Sequence, residues 1–123
     1  MRLTPEEFAE LVEQALADIP EPFVKHLADV AVDIEPMPDM RTCRRMRLHS
    51  PRQLLGLYHG TPLTRRSVEQ PWRLPDRITI YQRNIERICR TDEEVVDQVR
   101  RTVLHEVGHH FGMGERELRE LGY

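Results

Sequence analysis

Apolar residues at Phe8, Leu11, Val12, Ala15, Leu16 and Ile19 recur every three or four positions, the spacing that lines one face of a helix. In front of them, Thr4-Pro5-Glu6-Glu7 combines an N-cap threonine, a proline at the first helical position and a glutamate that completes a capping box. Together these predict a helix from Pro5 to Ile19, ended by Pro20 and Pro22. The period then shortens to two. "VAVDIEP", from Val30 to Pro36, alternates apolar and polar residues as a half-buried strand does, and "LLGLYHG" (Leu54 to Gly60) and "RITIYQR" (Arg77 to Arg83) are the second and third strand candidates. Between the first two, "PMPDMRTCRRMRLHSPR" reads as a solvated connection with a short helical turn. Between the second and third, "TPLTRRSVEQPWRLPD" has too many prolines and polar residues for regular structure, so a long loop is expected there.

The helical period returns at Thr91-Asp92-Glu93-Glu94, a second capping box. Val95, Val96, Val99, Val103, Leu104, Val107 and Phe111 spread over about half the circumference of the helix that follows, at roughly 100° per residue. Arg100 falls inside this arc, which predicts a stem laid along apolar surface and a head in water. Gly112 and Gly114 stop the helix, and Glu115 to Leu121 is long enough for a last short one.

Chemistry is concentrated on that second long helix. His105-Glu106-Val107-Gly108-His109 is H-E-x-x-H. Residues four apart on a helix stand about 40° apart around the axis and about 6 Å along it, so both imidazoles project from one side and can chelate one zinc ion. Glu106 sits about 60° round from His109 in the other direction, too far for a natural third ligand. It is placed instead to take the proton of a water attacking a carbonyl. Gly112 permits the left-handed turn that reverses the chain, and the reversal can bring Glu115 back over the two histidines as third ligand. Glu117 competes for that role, two residues later. His110 points away from the pair, and His26, His49 and His59 have no partners at ligand spacing. Gly108 costs about 1 kcal/mol inside a helix, which predicts a close packing contact there.

Composition adds boundaries rather than direction. The 123 residues suit one domain, 1–123. The net charge of −3 indicates no particular partner, and of the 18 basic residues only Lys25 is lysine. Cys43 and Cys89 form no C-x-x-C pair, so reduced thiols are expected. No apolar run approaches membrane-spanning length, and the acids dispersed through the first sixteen residues exclude the apolar core of a signal peptide. A soluble, cytoplasmic chain is the expectation.

With "HEVGHHFG", "LYHGTPLTRRS", "LPDRITIYQRNIE" and the T-x-E-E helix start, the chain resembles the small bacterial zincin-like metallopeptidases, or minimal zincins, over its whole length. The resemblance implies an α+β fold: an N-terminal helix, a small three-stranded and mostly antiparallel sheet, a long active-site helix and a short C-terminal helix. It also implies a Zn2+ site and a peptide or protein substrate. The chain departs from larger relatives in carrying Glu115 where they have His or Asp, and no methionine follows Glu115 in the eight remaining residues to form the turn that metzincins place under the metal. Tyr123 can stand in for that support, packing beside the metal or donating to a developing oxyanion. Two alternatives stay open. Ribosomal-RNA-maturation endoribonucleases share the H-x-x-x-H spacing, and Arg41, Arg44, Arg45, Arg47 and Arg52 could contact phosphates, but Glu106 and Glu115 depart from that pattern. The other is a zinc-binding zincin fold without chemistry.

Overall fold

The computed structural model describes residues 1–21, 23–60 and 76–123. The long loop expected at residues 61–76 lies almost wholly outside the described residues. Helix α1 (Pro5–Ala17) begins at the predicted capping box: Thr4 Oγ1 accepts from the Glu7 backbone N–H at 3.1 Å, and Glu7 Oε1 accepts from that of Thr4 at 2.9 Å. Its buried face is Phe8, Leu11, Val12 and Ala15. After a one-turn α2 (Phe23–His26) the chain enters β1 (Val30–Glu35) and then α3 (Met40–Arg45), which is capped by Asp39 and supplies the helical turn expected in the arginine-rich connection. A 3-10 turn at Pro51–Gln53 leads to β2 (Gly56–His59), followed by β3 (Asp76–Tyr81), α4 (Gln82–Ile88), α5 (Asp92–His110) and α6 (Glu115–Glu120).

The architecture is the α+β arrangement expected, with one difference in the sheet. Strand order is β1-β3-β2, with β3 pairing antiparallel to β2 and parallel to β1 over Val30↔Asp76 to Glu35↔Tyr81. The sheet is therefore mixed rather than mostly antiparallel, because β2 lies within the crossover that returns the chain to run alongside β1. Strand β3, central and covered, buries all its residues but Arg77. Its Ile78 and Ile80 join Phe8, Val99, Val103 and Val107 in one apolar cluster between sheet, α1 and α5. Phe111, placed by periodicity on the buried arc of α5, is instead 37% exposed and stacks on His26 at 4.1 Å. Arg100 pairs with Asp97 at 2.7 Å and Asp18 at 3.3 Å, its head at the surface. Both cysteines are free, and no described helix is long and apolar enough to cross a membrane.

Helix α4 begins at Gln82 and Arg83, the last two residues of the third strand candidate. Its buried side carries Ile85 in the core and three polar residues beside it: Asn84 Nδ2 donates to the carbonyls of Pro51 (2.8 Å) and Leu54 (2.6 Å), holding the entrance to β2. Glu86, 3% exposed, accepts from the Leu3 N–H at 2.8 Å, Gln82 Nε2 at 3.0 Å and Arg83 at 2.7 Å. Burial pushes its carboxyl up, but these donors outweigh burial and hold it below the usual range. A depressed carboxylate contributes stability that is complete above its unfolded pKa and lost as pH falls through the folded one. Glu86→Ala is expected to cost about 3 kcal/mol at neutral pH, by stranding a buried N–H and an arginine, and to cost progressively less on acidification below about pH 4. Urea unfolding across that range checks both, and a cost that does not fall on acidification would contradict the assignment.

Candidate metal centre

Helix α5 is nucleated by its own capping box, Thr91 Oγ1 accepting from the Glu94 N–H at 3.1 Å, and carries His105, Glu106 and His109 in its last turns. The turn that follows is a Schellman motif: Gly112 takes φ +88°, its N–H reaches the His109 carbonyl at 3.1 Å, and the Met113 N–H reaches that of Gly108 at 2.8 Å. A Cβ would oppose that φ, which is why glycine stands there. The reversal delivers Glu115, first residue of α6, onto the histidine pair. Glu115 Oε1 lies 2.9 Å from His105 Nε2 and 2.8 Å from His109 Nε2, and the two nitrogens are 3.0 Å apart.

Each corner of such a triangle lies about 1.7 Å from its centre, inside the ~2.0–2.1 Å of zinc–nitrogen and zinc–oxygen bonds, so one ion can touch all three atoms. A cation placed there would take one lone pair from each imidazole and one from the carboxylate. Contact with His109 foremost, with His105 adding to it, holds the Glu115 carboxyl below its usual range against the opposing effect of desolvation. Among the described residues these three side chains form the cluster able to hold a metal, and Glu117 lies outside it, exposed on α6.

Glu106 is turned away from the triangle toward the sheet. Its Oε1 accepts from the backbone N–H of Tyr58 in β2 at 3.1 Å. Burial pushes this carboxyl up, only partly countered by the Tyr58 N–H and the two histidines. Because the Leu55 carbonyl accepts from the Tyr81 N–H at 3.0 Å, the even positions of β2, Gly56 and Tyr58, turn their peptide groups outward toward α5. An open cleft of about 370 Å³ runs beside this edge, lined by Leu54, Leu55, Gly56, Gln98, Arg101, Thr102, His105, Glu106 and Tyr123.

Tyr123 is fixed by a second Schellman motif, with Gly122 at φ +92° and the Tyr123 N–H on the Leu118 carbonyl at 2.8 Å. Its ring meets Phe23 edge-on at 5.8 Å, and Tyr123 also lines the cleft. His110 stacks on Tyr58 at 4.0 Å, and Tyr58 Oη donates to buried Asp76 at 2.8 Å. Tyr58 and Asp76 were not singled out from the sequence, although the segments "LYHGTPLTRRS" and "LPDRITIYQRNIE" of the family resemblance contain them. His49 and His59 lie outside the cluster, and burial beside Arg77 and Arg45 pushes the imidazole of His59 down. None of the five arginines at 41–52 lines the cleft.

Gly108 is the close contact its helical cost implied. A Cβ there would stand 2.5 Å from Leu118 Cδ2 and 3.3 Å from Cγ, and Leu118 is fully buried. Since α6 carries both Leu118 and Glu115, and the buried Leu118 side chain must shift to admit an alanine at 108, that substitution is expected to displace α6 and move the carboxylate off the triangle. Zinc ligation tolerates about 0.2 Å, so Gly108→Ala is expected to weaken zinc binding roughly tenfold or more. Competition against a chelating dye measures it, and unchanged affinity would show that α6 does not set the position of Glu115.

A family model described as zincin-like metallopeptidase matches residues 27–123. Among solved structures, a conserved hypothetical protein from Thermus thermophilus is similar, with a TM-score of 0.51 and 28% identity over 88% of this chain and 94% of that one. No curated protein matches.

Proposed function

This chain belongs to the zincin-like metallopeptidase family, and on that footing we propose that it is a zinc-dependent peptidase in which His105, His109 and Glu115 hold the metal and Glu106 is general base and then acid. The observation that carries the proposal is the convergence of three ligand atoms on one point beside a cleft that also receives Glu106. When bound, zinc supplies Lewis-acid polarisation of a carbonyl and makes water a better nucleophile at neutral pH. Glu106, raised by burial, takes a proton from the attacking water as its oxygen bonds to the carbonyl carbon, then delivers that proton to the amine as the C–N bond breaks. The Tyr58 N–H, on the side of β2 away from β3, fixes the carboxylate. The remaining outward peptide groups of β2 offer an extended substrate an edge on which to add as a further strand. The arginine-rich segment lies outside the cleft lining, which favours a peptide over RNA at this site.

The test pairs metal content with cleavage of an unstructured peptide library before and after zinc is added. Zinc-loaded protein is expected to cleave and chelated protein is not. Stoichiometric zinc without cleavage would overturn the peptidase reading and leave a binding site.

A further inference from the structure

The cleft beside the metal cluster is asymmetric in charge. The charged side chains of its lining are Arg101 toward the start of α5 and Glu106 at the sheet end, with His105 between them. Glu106 is engaged by the Tyr58 N–H, whereas Arg101 is 57% exposed and has one ion pair among the described residues, Nε to Asp97 Oδ2 at 3.0 Å. Asp97 divides its charge between Arg101 and Arg100, which it meets at 2.7 Å, and does not itself line the cleft. The floor is closed where strand meets helix: a Cβ on Gly56 would stand 2.6 Å from Thr102 Cγ2. Leu54, Leu55 and Tyr123 give the sides an apolar surface suited to methylene groups.

Arg101 precedes His105 by one helical turn, about 6 Å, and an extended peptide advances about 3.3 Å per residue. Asp97, one turn earlier still, draws the Arg101 head away from His105, so a group meeting the guanidinium is about two to four residues from a carbonyl held at the metal. We infer that Arg101 makes this cleft selective for a substrate carboxylate about two to four residues from the scissile bond, an inference that rests on the peptidase reading above. The carboxylate belongs to an Asp or Glu side chain or to the substrate's own C-terminus, because the guanidinium fork binds either in the same way.

Zinc-loaded Glu106→Gln protein, immobilised, separates binding from turnover. It is offered two pools of random decapeptides: one C-terminally amidated and containing Asp and Glu, the other with free C-termini and lacking both, alongside its amidated twin. Sequencing of the retained peptides is expected to show about tenfold enrichment of Asp and Glu at one position in the first pool, or about tenfold retention of the second pool over its twin. Which of these occurs identifies the source of the carboxylate. Adding Arg101→Glu should replace acidic by Lys and Arg enrichment, and Arg101→Gln should abolish the preference without reversing it. Because Arg101 is exposed, both variants are expected to melt as the parent does. No preference in any pool, or a preference that survives Arg101→Glu, overturns the inference. Cleavage of the same pools by zinc-loaded wild type decides the peptidase reading separately: cleavage without preference removes Arg101 alone, and preference without cleavage leaves a selective peptide-binding site.

Discussion

Glu106→Gln, loaded with zinc, is expected to hold its metal as tightly as wild type and to lose peptide turnover by a factor of about 10² to 10⁴. The two halves of this result come from different parts of the geometry. Metal retention follows because Glu106 contributes no atom to the triangle of His105, His109 and Glu115. Glutamine has the same shape, and its carbonyl oxygen can still accept from the Tyr58 N–H, so the helix and β2 stay joined as they are. What is lost is a group able to accept a proton, and burial is what brings the wild-type carboxyl up toward the pH at which such a group works best. Turnover within tenfold of wild type, with zinc content unchanged, would remove Glu106 from the chemistry.

The second large effect separates two neighbouring glutamates. Glu115→Ala is expected to weaken zinc binding beyond the roughly 10–100-fold that attaches to outer-sphere partners of a metal, since it removes one of three direct contacts. Glu117→Ala should leave affinity within about twofold, because its side chain is exposed and outside the cluster. Titration of both variants with zinc against a competing chelator measures this. Equal losses would mean that α6 is repositioned when metal binds, and a loss confined to Glu117→Ala would transfer the ligand role.

How far the molecule was legible in its sequence depended on whether each contact left a pattern in residue type. Helices α1 and α5 announced themselves by capping boxes and apolar spacing, and their ends fall within two residues of expectation, at Ala17 and His110. Alternation located the three strands but has no direction, so the parallel pairing of β1 with β3 was hidden. Helix α4 was missed because, of its buried residues, Gln82, Asn84 and Glu86 are polar and Ile85 alone is apolar, and a search for spaced apolar positions passes over such a helix. At the site, the spacing of His105, His109 and Glu115 was readable because one helix and one turn set it. The hold of Tyr58 on Glu106 was not, since a backbone N–H can belong to any residue type but proline.

That contrast bears on the order in which the site comes together. The His105–Glu115 contact spans ten residues, while Tyr58 reaches Glu106 across forty-eight. Closing the longer span costs about 1.4 kcal/mol more chain entropy, before the strand and core it needs are counted. On the proposed ligand set, a chain whose last helices have formed is therefore expected to capture a metal ion while its sheet is still unfolded. Zinc uptake would then report assembly of the C-terminal quarter, with Glu106 oriented once β2 has docked against α5.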